Sequence, residues 1–337
     1  MKKRLLKIYI AAAALLFAAG AFFLFEFKAL KADSDILWHP SKRLDNYRFD
    51  PETSLQARVK PAPEMILSAW KNWDNRDDYT PYMPDSEEMN IIAGTLAELP
   101  ALNTQVLEKR LIAIYFISNF AGAGLTDWVV DKDNNIYIYM IFNTAALKMG
   151  MSEFLTWKEK SCFINDDPSL DIRVDVNSKR RGLLYIMLHE SCHAVDYIFN
   201  ITPFVEPGMK RFGKILDDTD FTRGIWRSYN KSAIDYKFRE NVIFYQTPRI
   251  KISRAQDVYS DMDGSPFISL YGSLNWAEDL SEFLTFYHLT EKMGFSYRIG
   301  VYRNGKSLYS FEPAKSEARR GRFGSMDTFY RPRSDFK

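Results

Sequence analysis

Residues 182–200 read GLLYIMLHESCHAVDYIFN, from Gly182 to Asn200. The stretch is long, apolar and free of proline, which predicts a buried helix. Inside it stands His189-Glu190-Ser191-Cys192-His193. Residues four apart on a helix share a face, so the two imidazoles can reach one ion, with Zn–N distances of about 2.0–2.1 Å. Glu190 is offset by about 100° from His189. Its carboxylate therefore lies beside the ion, where it can take a proton from activated water. The whole chain has only four histidines, and two of them fall here. The alternative is a helix whose histidines and glutamate are satisfied by buried hydrogen bonds. Three polar side chains in an apolar helix are costly to bury without partners, and a divalent cation supplies them.

Working outward, a catalytic zinc usually takes a third protein ligand and keeps a fourth position open. A third histidine six residues after the second, preceded by a glycine, is one route. Here those positions are Phe199 and Asp196, which excludes the metzincin pattern. A glutamate on a later helix is the other route. Trp276-Ala-Glu-Asp-Leu-Ser-Glu-Phe-Leu-Thr-Phe-Tyr287 is the best candidate. Glu278 and Glu282 share a helical face there, beside Ser281 and Thr285, while Leu280, Phe283, Leu284 and Tyr287 form the apolar side. Asp279 and Asp196 are lesser alternatives as ligands. His288 falls off the Glu278 face by helical phase and reads as structural. His39 is assigned no role.

His189-Glu-x-x-His193 followed by Glu278-x-x-x-Glu282 resembles the gluzincin clan of zinc metallopeptidases. The resemblance implies that Glu278 is the third zinc ligand and that Glu282 hydrogen-bonds a ligating histidine and fixes its orientation. The thermolysin relatives carry an aspartate at that second position, so the chain departs from them. The Glu-x-x-x-Glu form is closer to that of anthrax lethal factor-like peptidases. In that group a tyrosine seven residues before the ligand assists catalysis, and the corresponding position here is Tyr271. Simple packing is the alternative for Tyr271 in a chain with 19 tyrosines. The resemblance covers two short segments only.

The rest of the chain, 337 residues in all, predicts an α+β fold. Asp85-Ser-Glu-Glu88 has the form of a capping box, with an amphipathic helix running to Leu99 before Pro100. Asn103 is expected to cap a second helix through Leu107, Leu111, Ile114 and Ile117. Trp128–Val130 and Ile136–Phe142 flank the polar turn Asp131–Asn135 and predict a hairpin. Ile136–Phe142 is either an ordinary core strand or the sheet edge against which a substrate strand lies. Ala145–Lys160 reads as helix, and Asp171–Val176 alternates with the period of a strand. Asn304-Gly305 between Tyr297–Arg303 and Lys306–Phe311 is a strong hairpin signal.

The N-terminus carries a different signal. Met1–Lys7 is basic, and Ile8–Phe25 is uncharged and apolar, about 27 Å as a helix. No A-x-A-like cleavage site follows, which favours an uncleaved signal anchor over a cleaved signal peptide. The basic flank predicts a cytoplasmic N-terminus and an extracytoplasmic, in bacteria periplasmic, catalytic domain. The expected organisation is therefore a transmembrane helix over 1–30, a linker and loose segment over 31–84, a zincin-like catalytic domain over 85–294, and a β-hairpin with a basic tail over 295–337. Its catalytic part combines a small mixed sheet, an active-site helix and a later glutamate helix. One short helical patch is expected at Glu64–Trp73.

The formal net charge of +2 supplies no global basic field for nucleic acid. Cys162 and Cys192 are too few for a disulfide framework, and a small buried thiol is the commoner state for a cysteine in such a helix. The expected activity is zinc-dependent hydrolysis of a polypeptide substrate, with Zn2+ as cofactor. A non-catalytic zinc-binding scaffold and a zinc hydrolase of a non-peptide amide are the rival expectations.

Overall fold

Both faces of the central sheet are covered, and this explains much of the local sequence. A computed structural model describes residues 38–205 and 219–336. Helix α1 (Glu64–Asp74) leads into strand β1 (Thr80–Tyr82) and helices α2 (Ser86–Ala97) and α3 (Ala101–Arg110). Strands β2 (Leu111–Ser118), β3 (Gly124–Val130) and β4 (Ile136–Asn143) complete a four-stranded sheet of order β1-β2-β4-β3. β2 and β4 run parallel, with Ile114 opposite Met140. β3 and β4 form the expected hairpin, with Trp128 opposite Ile138.

One face of this sheet places Phe116, Met140 and Phe142 in the main core. The other packs Tyr115, Ile117, Tyr139 and Ile141 against Ile66, Leu67 and Tyr79 of the N-terminal layer. A strand buried on both sides reads as a continuous apolar run with no alternation. That is why Leu111–Ile117 looked like more helix. The second helix in fact ends at Arg110, and Leu111, Ile114 and Ile117 belong to β2. Asn103 is not its cap. Pro100 holds that position, and Asn103 is buried inside α3, where its amide donates to the Ser191 hydroxyl at 2.8 Å. The Asp85 capping box forms as expected.

The stretch before β1 is tied down from Pro40 onward. Arg58, 2 % exposed, donates to the carbonyls of Pro51, Thr53, Leu107 and Leu111. Lys42 pairs with the buried Asp127 of β3, and Arg43 bridges Val130 at the far end of that strand.

The helix expected over Ala145–Lys160 is two pieces, a single turn Ala145–Lys148 and helix α4 (Met151–Lys160), broken at Met149-Gly150. Strand β5 (Leu170–Val176) precedes helix α5 (Gly182–Phe199), and helix α6 (Trp276–Tyr287) follows much later. β6 (Tyr297–Arg303) and β7 (Lys306–Phe311) form the second expected hairpin, with Asn304 and Gly305 both at positive φ, 48° and 78°. That conformation favours asparagine and glycine. β6 also pairs with β5, making a three-stranded antiparallel sheet. α4 caps the open edge of β5: Thr156 Oγ1 accepts from Val174 N–H and Ser152 Oγ from Val176 N–H, each at 2.9 Å.

α5 crosses β3 closely because position 124 is glycine. A Cβ there would lie 3.0 Å from Ile186 Cγ1 and 2.9 Å from Phe142 Cδ1. Thr126 Oγ1 then donates to the carbonyl of Glu190 at 2.8 Å, fixing the motif against the strand. α6 packs along α5, and Asn275 starts it by accepting from the N–H groups of Ala277 and Glu278 at 3.1 Å each.

The expected mixed α+β class is observed, but the transmembrane helix assigned to the fold is not. Among the described residues no helix is long and apolar enough to cross a membrane. Ile8–Phe25, which carried that expectation, lies outside the described residues. Among the described residues the longest helix is α5, which carries His189, Glu190, His193 and Asp196 and is largely buried. The fold that the described residues show is a mixed α+β arrangement without a membrane-spanning helix.

Candidate metal centre

α5 buries nearly every residue from Gly182 to Val195, so its polar side chains must find partners inside the protein. His189 and Glu190 are buried, and His193 is half-buried one turn on. α6 brings Glu278 to them. His189 Nε2 lies 2.9 Å from Glu278 Oε2 and 3.2 Å from His193 Nε2, and His193 Nε2 lies 3.4 Å from the same Glu278 oxygen. Three donors arranged tetrahedrally about one zinc would be separated by about 3.3 Å, given ligand distances of about 2.0–2.1 Å. His189, His193 and Glu278 thus form a group that could hold a metal ion.

The electrostatics agree with that reading. Burial works to lower the His189 pKa, but the adjacent Glu278 and Glu282 carboxylates overcome it and raise it to about 10. Burial works to raise Glu278, but the two imidazoles hold it well below the usual carboxylate range. Two imidazole nitrogens and a carboxylate oxygen facing one point call for positive charge there, supplied by a proton or by a cation.

Glu190 stands beside these donors and is not one of them. Its Oε2 is buried and has no hydrogen-bond partner among the described residues. Burial raises its pKa. Together with His193, Glu278, Tyr271, Gly124 and Thr126 it lines a cavity of about 180 Å³.

The remaining expected site residues are placed as follows. Glu282 is fully buried, and its Oε1 lies 3.0 Å from His189 Nδ1, at ion-pair distance but off the line of a well-formed hydrogen bond. Tyr271 packs edge-on to His189, ring centroids 5.6 Å apart, and burial keeps its phenol protonated far above neutrality. Asp196 is engaged by Thr202, whose backbone N–H and hydroxyl both donate to it, and burial raises it to about 6. Asp279 turns away, accepting from Trp226 Nε1 at 2.9 Å and pairing with Arg322 at 2.7 Å. Neither aspartate joins the three donors. His288 pairs with the Tyr330 hydroxyl at 2.7 Å, and His39 caps a turn by accepting from Ser41 N–H. Cys162 and Cys192 are free and buried.

Two contacts were not anticipated. The Ser281 hydroxyl lies 3.1 Å from His193 Nδ1, one turn beyond Glu278, so α6 supports both histidines. Its position on the Glu278 face was the available signal. Lys158 of α4 reaches Glu282 from below. Its only mark in the sequence is sharing the helix face of Phe154 and Leu155. The sheet order decides between the two readings of Ile136–Phe142 in favour of the core strand. β4 lies between β2 and β3, so Ile136–Phe142 is an interior strand. The edge strand beside the cavity is β3, whose residues Gly124–Thr126 border it.

Comparisons of the chain with protein-family models, with curated proteins and with solved structures return no match.

Proposed function

We propose that this chain is a zinc-dependent peptidase of gluzincin type, in which His189, His193 and Glu278 hold the ion and Glu190 is the general base. The observation that carries the reading is the meeting of three donor atoms beside a buried carboxylate oxygen that has no hydrogen-bond partner among the described residues. Two imidazoles and one carboxylate are a donor set suited to catalytic zinc. When bound, such an ion supplies Lewis acidity, polarising a carbonyl and making water a nucleophile near neutral pH.

The chain's own groups supply the rest. Glu190 accepts the proton of the attacking water and passes it to the leaving amine. Its burial favours this role, because desolvation disfavours the charged form and helps the carboxylate hold the proton it takes. Tyr271 remains a phenol donor at all relevant pH and sits on the cavity wall, where it can donate to the oxygen on which charge develops. Glu282 braces His189 from the opposite side, which orients a ligand and raises its basicity.

A polypeptide substrate suits the edge strand. Among the described residues β3 has no strand partner on the side beside the cavity, while its far end is engaged by Arg43. An extended peptide can add to that edge with its scissile bond near Glu190. A strand laid along a sheet edge needs no chain end, which favours internal cleavage.

The test is direct. The purified chain should bind one zinc per molecule and cleave members of a quenched-fluorescent peptide library. A chelator should abolish the cleavage, and added zinc should restore it. Stoichiometric zinc with no cleavage of any library member would overturn the peptidase reading in favour of a zinc-binding scaffold. Cleavage confined to non-peptide amides would overturn the substrate class.

A further inference from the structure

Beneath the three donors, away from the cavity, lies a buried polar cluster of which the proposed chemistry uses only Glu282. Its centre is Glu282. One carboxylate oxygen, Oε1, accepts the Tyr185 hydroxyl at 2.5 Å and faces His189 Nδ1 at 3.0 Å. The other, Oε2, accepts the Ser269 hydroxyl at 2.6 Å and the Lys158 ammonium at 3.3 Å. Lys158 is itself 2 % exposed. Its Nζ also donates to the Tyr185 hydroxyl at 3.2 Å and lies 4.0 Å from Glu159 Oε1. Glu159 in turn accepts from Tyr259 at 2.7 Å.

A lysine is an expensive choice for this position. Phe154 and Leu155 on the same face of α4 are wholly buried, and an apolar residue at 158 would extend the core without desolvating a charge. The ammonium is held where two features of the site meet. It touches the carboxylate that braces His189, and it lies 4.6 Å from the centre of the Tyr271 ring. The Tyr271 ring is therefore set between His189 on one side and a buried cation on another. Removing Lys158 leaves Glu282 held by the Ser269 and Tyr185 hydroxyls alone, without its only charged partner at Oε2, and removes the cation from the ring that borders the cavity.

We infer that Lys158 is a positioning residue of the metal centre: by pinning the Glu282 carboxylate it orients the His189 imidazole toward the ion, and by lying against the Tyr271 ring it seats that phenol on the cavity wall. The inference rests on His189, His193 and Glu278 binding a metal and is independent of peptide hydrolysis.

Zinc affinity, measured by competition with a chromophoric chelator, is the readout, with the melting temperature of the metal-free chain followed in parallel. The variants are Lys158→Met, Lys158→Arg, Glu282→Gln and the double variant Lys158→Met/Glu282→Gln. Loss of an outer partner of a metal ligand weakens binding by about tenfold to a hundredfold. Glu282→Gln is expected to raise the zinc Kd by that factor, Lys158→Met, one contact further out, by part of it, and Lys158→Arg to recover some of that loss. The double variant removes the buried charge together with its partner and so keeps a foldable core. Its zinc Kd should match that of Glu282→Gln to within about twofold, the signature of two residues acting as one unit. Lys158→Met with lowered melting but wild-type zinc affinity would overturn the inference and leave the peptidase reading intact. A double variant much weaker than Glu282→Gln would overturn the route through Glu282. Wild-type protein that binds zinc without cleaving peptides would overturn the peptidase reading alone. Failure of the wild-type chain to bind zinc at all would overturn both.

Discussion

Replacing Glu190 by glutamine separates the chemistry from the metal. The side chain is buried at 4 % exposure, and glutamine has nearly the same shape, so packing is preserved. Glu190 contributes none of the three converging donor atoms, so zinc content should not change. What disappears is the ability to take a proton. A positioned general base contributes about 10²–10⁴-fold, which is about 2.7–5.4 kcal/mol of barrier. Stability should not fall in step. The wild-type carboxylate is desolvated, with one oxygen unpartnered, and a neutral amide removes the burial penalty on the charge. The expected result is a zinc-loaded variant with a metal-free melting temperature no lower than wild type and turnover reduced by at least about a hundredfold. Fluorogenic peptide hydrolysis, normalised to bound zinc by elemental analysis, gives the number. Turnover within tenfold of wild type would refute the base assignment. Loss of zinc together with activity would show instead that Glu190 belongs among the ligands.

Three further outcomes are expected. Tyr271→Phe removes one donor at the cavity wall and should lower kcat by about a hundredfold while leaving KM nearly unchanged, and an unchanged kcat would reduce Tyr271 to packing. Gly124→Ala places a Cβ 2.9 Å from Phe142 Cδ1, 3.0 Å from Ile186 Cγ1 and 3.1 Å from the Ile141 carbonyl. Separating α5 from β3 should destabilise the fold by about 1–3 kcal/mol in denaturant unfolding, and wild-type stability would show slack at that crossing. His288 has its pKa lowered to about 4 by burial and by nearby Lys292, against an unfolded value of 6.5. The unfolded state therefore binds the extra proton first, so stability is present above pH 6.5 and is lost as pH falls toward 4, by about 3 kcal/mol at most. The difference between wild type and His288→Gln, measured by unfolding at pH 7 and pH 4, isolates this term, and a difference that does not change with pH would refute it.

Where the sequence was legible, one element at a time carried the signal. The two histidines and Glu190 lie within one turn of one helix, so helical geometry alone relates them. Both hairpins were marked by polar turns between apolar runs, and Asn304-Gly305 adopts the positive φ values such a turn requires. The capping box at Asp85 was readable for the same reason, because its partners are three residues apart. What was misread or left open was non-local. Leu111–Ile117 lacks alternation because the sheet is covered on both faces, a fact that no window of sequence contains. Ile136–Phe142 could be called a strand, but its interior place depends on β2 pairing to it from across the chain order.

The identity of the donor pair and its base follows from spacing on a single helix, which the backbone fixes locally wherever that helix is set. The convergence of Glu278 with that pair, the bracing of His189 by Glu282, and the arrival of Lys158 beneath them depend on how α4, α5 and α6 pack. Those partners are separated by 89, 93 and 124 positions in the chain, from His189 to Glu278, from His189 to Glu282 and from Lys158 to Glu282. Contacts at that range are set by burial of the apolar faces of the three helices against one core, and only the folded chain decides which polar groups that burial brings together.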